Sequence, residues 1–394
     1  MREQTCVIVG GGYAGIHTIK ALLKGFQGKP TGKKLRILLI DKESYHLRKV
    51  LLFKPAAGGE NITIPLTDLF PEGVEFIQGT VTKVDSESKQ LHYTSAKGIA
   101  CSQNYDQLVI TVGSIVRQTD PDLGGIALTN LQTAEQIRVQ WRTNLQKAIH
   151  CQDEKERERH LSVAVAGAGI SGIEAAAELV YTMKQEAKEQ GLDPSAVKVY
   201  LLNAQERLFH EGPAKVGRKI EHILRNAGVI VRHGFKALYE KDGRLTLSNG
   251  EQLAVGLSIW TLGLLPNPIL RTLGLATTKE GQLIVDACYR VQGTVGIYAI
   301  GDCALIIDPT TGQADRLTCK EATAQAARLA KVISADLEGT RAPEHASFMD
   351  FFCIGLGPGR GMVWTRKWGL DLMITGKLGW KVRKFTWDQA SLLQ

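Results

Sequence analysis

Two stretches of this 394-residue chain follow the same grammar, and that repetition predicts the fold class. Residues 5–9 form an apolar run that meets a glycine cluster at once, then a helical pattern at 16–23 and a second apolar run at 35–40, ending on Asp41. Residues 162–166, a glycine turn at 167–172, a helix over 173–190 and a strand at 197–202 ending on Asn203 repeat the series. The second unit is followed by further apolar strands that each close on a glycine. These observations predict an α/β protein of two Rossmann-like modules, the second inserted in the first, plus a small C-terminal region. The expected divisions are 1–130 and 264–340 for the split module, 131–263 for the inserted one and 341–394 for the tail.

The glycine clusters justify the modules. Gly10-Gly11-Gly12-Tyr13-Ala14-Gly15 is a complete GxGxxG. Gly10 permits the sharp turn, Gly12 lets backbone approach a pyrophosphate, and Gly15 lets helix and strand pack closely. Tyr13 and Ala14 lie inside the turn, ahead of a helix whose unsatisfied N–H groups suit phosphate. Asp41 is placed to accept hydrogen bonds from a ribose, with Lys42 beside it. Its distance from Gly15 exceeds the usual spacing because residues 25–34 read as a surface loop. Gly167-Ala168-Gly169-Ile170-Ser171-Gly172 is the second complete motif, in the same context. Two dinucleotide sites without a separate catalytic domain imply that each ligand is the other's reaction partner. FAD and a nicotinamide nucleotide, NADH or NADPH, meet that need.

The bulk composition fits this reading. The chain is 44% apolar and 22% charged, with a formal charge of +8 that suits anionic dinucleotides or an anionic surface. No long basic block or zinc-finger spacing points to nucleic acid, and no His/Cys/Asp cluster has metal spacing. The seven cysteines are scattered, with no CxxC pair, as expected of reduced thiols in a cytoplasmic protein. A strand begins too early to leave room for a signal peptide, and no apolar stretch reaches membrane-spanning length. The charge run at 153–160 is expected to be a solvated segment. The helix expected over 321–337 is rich in alanine.

As read so far, the chain resembles the two-dinucleotide-binding flavoprotein reductases. Residues 105–114 (YDQLVITVGS), carrying Thr111 and Gly113, are similar to that family's strand returning to the flavin module, and 260–268 (WTLGLLPNP), with Gly263, to its second crossover. Residues 297–303 (IYAIGDC), with Gly301 and Asp302, resemble the motif whose acid holds the ribityl chain of the flavin. Val81 falls among the cofactor contacts implied by the same resemblance. Within the family the type II NADH:quinone dehydrogenases and their apoptosis-inducing-factor-like relatives are the nearest match. Residues 45–53 (YHLRKVLLF) resemble their flavin-side segment and imply that Lys49 lies near the isoalloxazine ring. Gly172-Ile173-Glu174, followed by Glu178, resembles their helix start and implies that Glu174 lies at the nicotinamide–flavin contact. Residues 323–329 (TAQAARL) keep half of their quinone-side pattern, implying roles for Ala324 and Gln325, with Leu329 where a second glutamine would stand. Lys320-Glu321 also departs from the usual lead. Asn203 replaces the usual acid and Arg207 is close by, so the choice between NADH and NADPH stays open.

The resemblance implies an NAD(P)H dehydrogenase that passes electrons to a quinone or similar acceptor. Glu174, Lys49 and Gln325 are the candidate catalytic residues. Two alternatives stand beside it: an oxidoreductase of a small organic substrate, and an NADH-sensing binding protein with slow turnover. In the tail, Lys377, Lys381 and Lys384 share one helical stripe and Leu378, Val382 and Phe385 another, flanked by Trp380 and Trp387. That pattern suits a helix lying on an anionic membrane surface, such as the inner face of the cell membrane. The alternative for the same tail is a cover over the flavin module or a homodimer contact.

Overall fold

The computed structural model describes residues 3–26 and 35–393. The expected loop at 25–34 lies outside the described residues from 27 onward, and Gly25 and Phe26 belong to the preceding helix. In chain order the first module has β1 (Gln4–Val9), α1 (Tyr13–Phe26), β2 (Leu35–Asp41), α2 (Phe53–Ala57), β3 (Val74–Asp85), β4 (Gln90–Ser95), β5 (Ala100–Asn104) and β6 (Gln107–Ile110). β7 (Ser114–Val116) leads out of it. The second contains β8 (Ile126–Ala127), α3 (Leu131–His150), β9 (Ser162–Ala166), α4 (Ile170–Glu189), β10 (Lys198–Asn203), α5 (Ala214–Ala227), β11 (Val229–His233) and β12 (Leu257–Trp260). β13 (Leu264–Pro266) returns to the first module, which β14 (Ile297–Ala299) and α6 (Cys319–Glu338) complete. The tail folds into β15 (Phe351–Gly355), β16 (Gly361–Lys367), β17 (Leu370–Thr375) and α7 (Gly376–Ala390).

Among the described residues, the first module is one seven-stranded sheet in the order β14-β6-β1-β2-β3-β4-β5, and the inserted module a five-stranded sheet in the order β8-β12-β9-β10-β11. The central strands run parallel in both, which explains why they are apolar throughout: helices cover both faces. In β9 all five residues are buried. Both helices that follow the glycine turns begin three residues earlier than the sequence pattern suggests, at Tyr13 and Ile170, because the turn's own residues supply the first helical positions. The charge run at 153–160 is a solvated helix (Glu154–His160) with no buried residue, capped by Asp153.

Two contacts lock the modules together. β7 and β13 pair antiparallel, with Ser114 opposite Pro266. The apolar segment around α2 leaves its own module and enters the core of the inserted one, where Phe53, Ala56 and Ala57 join Ile137 and Trp141. Trp141 also donates its indole N–H to the Ala56 carbonyl at 3.1 Å. Burying such a side chain contributes roughly 1.5–3 kcal/mol, so the relative position of the two cradles is set by packing.

The tail belongs to that same core. Phe352, Ile354, Met362, Trp364 and Trp387 are buried within it. This corrects the expected pattern of aromatics. Trp387 faces Phe53 at 5.9 Å between centroids, Trp380 packs edge-on to Trp387, and Trp368 is the indole that points outward.

Candidate functional site

The two glycine turns are built to one plan. Gly10 (φ +106°) and Gly167 (φ +118°) adopt the left-handed backbone that glycine tolerates. A Cβ on Gly15 would stand 1.9 Å from the Gly10 carbonyl oxygen, and one on Gly172 would stand 1.9 Å from that of Gly167. Helix and turn therefore touch backbone to backbone. Gly12 and Gly169 face open space, with nothing within 4 Å of where a Cβ would lie. Each open glycine sits at a helix N-terminus, where free N–H groups favour an anion.

A threonine clamps each turn. Thr111 donates its hydroxyl to the carbonyls of Val9 (2.8 Å) and Gly10 (2.9 Å), and Thr261 to those of Ala166 (3.1 Å) and Gly167 (3.0 Å). The sequence reading had named Thr111 and missed Thr261. Aligning ITVG at 110–113 with WTLG at 260–263 was the signal that could have found it. Gly113 and Gly263 follow the two threonines with φ of +63° and +84°.

Asp41 accepts from the Gly11 N–H at 2.5 Å and the Glu43 N–H at 2.8 Å. Burial raises its carboxyl above the usual range. Lys42 is exposed beside it. Val81 is buried in the apolar core of the first module.

Around the first cradle, buried polar atoms wait for partners. His46 bonds the Gly11 carbonyl oxygen through Nδ1 at 2.9 Å, while its Nε2 is unpartnered and burial pushes its pKa down to about 4. Thr318 Oγ1 and Glu321 Oε2 are likewise buried and unpartnered, lining a chamber with Gly301, Asp302 and Gln325. Such groups cost about 1–3 kcal/mol each unless satisfied, so the open glycine and the orphaned atoms together fit a polar dinucleotide.

Lys49, Ser114 and Asp302 form a chain. The Lys49 ammonium donates to the Ser114 carbonyl oxygen at 2.7 Å and reaches its hydroxyl at 3.4 Å, and that hydroxyl donates to Asp302 Oδ2 at 2.6 Å. Burial lowers the Lys49 pKa, opposed by Asp302, and burial raises that of Asp302. Lys49 is thus held by protein atoms and does not lie over apolar surface in water. The Gln325 Oε1 accepts from the Gly301 N–H and its Nε2 donates to Asp315, both at 2.8 Å. Its amide positions the Gly301 turn. Ala324 is half-buried beside it, and Leu329 fills the core.

Glu174 is buried on α4, and Oε1 takes three donors: the Gly355 N–H at 2.7 Å, Arg383 Nε at 2.9 Å and Arg383 Nη2 at 2.8 Å. Oε2 is buried without a partner. Burial raises the carboxyl, with Arg383 and the Gly355 N–H pulling it back. One turn on, Glu178 pairs with Lys54 at 2.7 Å. Arg383, on α7, is a second residue that the sequence does not single out. It stood among lysines in an expected surface helix, and nothing local distinguishes it. At the inserted cradle, Asn203 Nδ2 lies 2.9 Å from His233 Nδ1.

A family model described as pyridine nucleotide-disulphide oxidoreductase matches residues 4–329. Oxidoreductase ptaL of Pestalotiopsis fici is 29% identical over 314 residues, which is 75% of this chain and 76% of that protein. The type II NADH:quinone oxidoreductase of Staphylococcus aureus is 25% identical over 375 residues, covering 91% and 90%. Among solved structures, NDH2 from Plasmodium falciparum in complex with NADH has the same fold, with a TM-score of 0.81 at 16% identity, covering 98% of this chain and 94% of that one. The sulfide:quinone oxidoreductase of Aquifex aeolicus follows at 0.76 and 17% identity, covering 98% and 90%.

Proposed function

The chain belongs to the pyridine nucleotide-disulphide oxidoreductase family, and on that premise we propose that it is an FAD-dependent NADH dehydrogenase whose acceptor is a quinone or similar small molecule. The observation that carries this reading is the duplicated cradle, with Gly12 and Gly169 both open and both turns clamped by threonine. Bound in the first cradle, FAD would supply the hydride-accepting chemistry between the nicotinamide and the acceptor. The remaining contributions are those of the chain.

Gly10, Gly12 and Gly15, with the N-terminus of α1, would hold the FAD pyrophosphate, and Asp41 its ribose. Asp302 keeps one oxygen for the ribityl hydroxyls because Ser114 occupies the other. The ammonium of Lys49, fixed on Ser114, presents positive charge at the ring site. Gly167, Gly169, Ile170 and Gly172 receive the nicotinamide nucleotide in the same manner. Glu174 and Arg383 brace the contact between the inserted module and the tail, keeping water from the buried side. The sequence holds no CxxC or CxxxxC pair, so electrons leave to a dissociable acceptor. The Staphylococcus aureus relative, aligned over 91% of this chain, supports a quinone in that role.

The acceptor's solubility gives the tail a purpose. Trp368, Leu370, Leu372, Ile374, Leu378 and Phe385 are exposed on β17, α7 and the turn before β17. Lys367, Lys377, Lys381 and Lys384 are exposed beside them. No helix among the described residues is long and apolar enough to cross a membrane. An apolar patch with a basic rim suits the surface of an anionic bilayer, where quinones reside. The test is anaerobic. NADH should bleach the visible spectrum of the purified protein, and a soluble quinone should restore it. Bound flavin that NADH leaves oxidised would overturn the proposal.

A further inference from the structure

The Lys320-Glu321 pair, where the sequence departs from the pattern it otherwise resembles, has no part in the proposed function. Both residues open α6, and the structure turns them apart. The Lys320 ammonium donates to the Phe351 carbonyl oxygen and lies over the rings of Phe348 (5.7 Å) and Phe351 (5.1 Å), so it faces the tail. Glu321 is 7% exposed and lines the chamber that begins at Gly301 and Asp302, and its Oε2 is buried without a partner. The chamber also reaches Arg316 and Leu317, which are exposed, so it leads from the Gly301 turn to the surface.

A second carboxylate shares this chamber, and its surroundings are of the opposite kind. Asp315 Oδ2 accepts from Gln325 Nε2 at 2.8 Å, and Oδ1 accepts from Ser347 Oγ at 3.0 Å, with His345 Nε2 at 3.2 Å. Burial raises the Asp315 carboxyl, but His345, Gln325 and Ser347 together hold it below the usual range. Burial also raises the Glu321 carboxyl. Lys320, its own backbone N–H and Arg316 oppose that rise, and Asp315 adds to it, so it stays above the usual range. Of the other titratable groups beside Glu321, Cys319 is kept a neutral thiol, pushed up to about 11 by burial, and Asp302 is tied to Ser114. Two carboxyls whose surroundings push them apart take complementary roles, one fixed as an anion and the other able to carry a proton.

We propose that Glu321 is a further catalytic residue, the general acid that delivers a proton from this chamber to the acceptor. This inference rests on the proposed function. Reducing a quinone to a hydroquinone takes two electrons and two protons. The nicotinamide gives up both electrons and one proton as a hydride, which passes through the cofactor, and the other proton comes from water. In the last step the Glu321 O–H bond breaks as an acceptor O–H bond forms. The carboxylate left behind regains a proton from water through the opening at Arg316 and Leu317.

The test compares two acceptors on the flavin-loaded protein, menadione, which needs protons, and ferricyanide, which takes electrons alone. Glu321→Gln keeps the shape and removes the proton. Stopped-flow reoxidation by menadione should slow on the order of a hundredfold, the worth of a positioned general acid. Bleaching by NADH and reoxidation by ferricyanide should stay near the parent rates. The parent's menadione rate should fall as the pH climbs through the Glu321 range, and the variant's should be flat. Glu321→Asp, which keeps the acid on a shorter stem, should lie between the two. A second readout needs no turnover. The infrared difference between oxidised parent and Glu321→Gln near neutral pH should show the carbonyl band of a protonated carboxylic acid, shifting in heavy water. Carboxylate bands in its place would overturn the proposal. So would menadione reoxidation as fast as the parent's, or equal slowing with both acceptors. Those results leave the dehydrogenase reading standing, whereas flavin that NADH fails to bleach in the parent would sink that reading and this role with it.

Discussion

Replacing Arg383 by methionine tests the junction between tail and inserted module. Arg383 is 7% exposed and Glu174 1%, and three donors converge on one carboxylate oxygen. Taking one partner from such a pair costs about 3–5 kcal/mol, because the other charge is left buried without compensation. The cost should depend on pH, and its sign follows from the carboxyl. Burial already raises Glu174, with Arg383 the largest opposing influence. A carboxyl raised in the folded state stabilises below its unfolded pKa, and that contribution is lost as the pH climbs through the folded value. Without Arg383 the folded value rises further, so Arg383→Met loses additional stability with pH, at up to about 1.4 kcal/mol per unit. Urea denaturation followed by tryptophan fluorescence at about pH 5 and about pH 8 should show the larger penalty at the higher pH. Adding Glu174→Gln should recover most of it, since a neutral amide is cheaper to bury. Equal penalties at both pH values, or a double variant no better than the single, would refute this account of the pair.

Three further outcomes are expected. Gly172→Ala should destabilise the protein severely, with a Cβ 1.9 Å from a carbonyl oxygen, whereas Gly169→Ala should change stability by less than about 1 kcal/mol and still weaken NADH binding. Thermal melting beside nucleotide titration separates the two. Thr261→Val should cost about 1 kcal/mol and raise KM for NADH, measured by denaturation and steady-state kinetics, because it unclamps the inserted turn while keeping the side-chain shape. Leu370→Ser with Leu372→Ser should abolish cosedimentation with anionic vesicles and leave soluble-quinone activity unchanged, since both side chains are exposed.

Much of the site was legible because its logic is local. The GxGxxG turns depend on steric relations within six residues, and strand, turn and helix appear in order in the chain. Gln325 was named by motif, but its partners were not, since both ends of its amide meet groups 24 and 10 residues away. Lys49 was named by motif, yet its anchoring on Ser114 required the β7 crossover to be in position. The tail misled in part. A stripe of lysines and tryptophans reads the same whether the indoles face lipid or core, and here Trp387 packs on Phe53 while Trp368 is exposed.

The sequence by itself determined the two modules, their nesting and the two places where a dinucleotide pyrophosphate can approach backbone. Those features follow from apolar periodicity and from the absence of a Cβ, which any stretch of chain carries with it. Only the tertiary structure decided which charges are spent and which are free. Arg383 reaches Glu174 across 209 residues, Thr111 and Thr261 clamp turns about a hundred residues away, and Arg207 turns inward onto its own loop. Hydrogen bonds and ion pairs are settled by distances of a few ångströms, and for residues so far apart in sequence those distances exist only once the sheets have closed and the cores have packed.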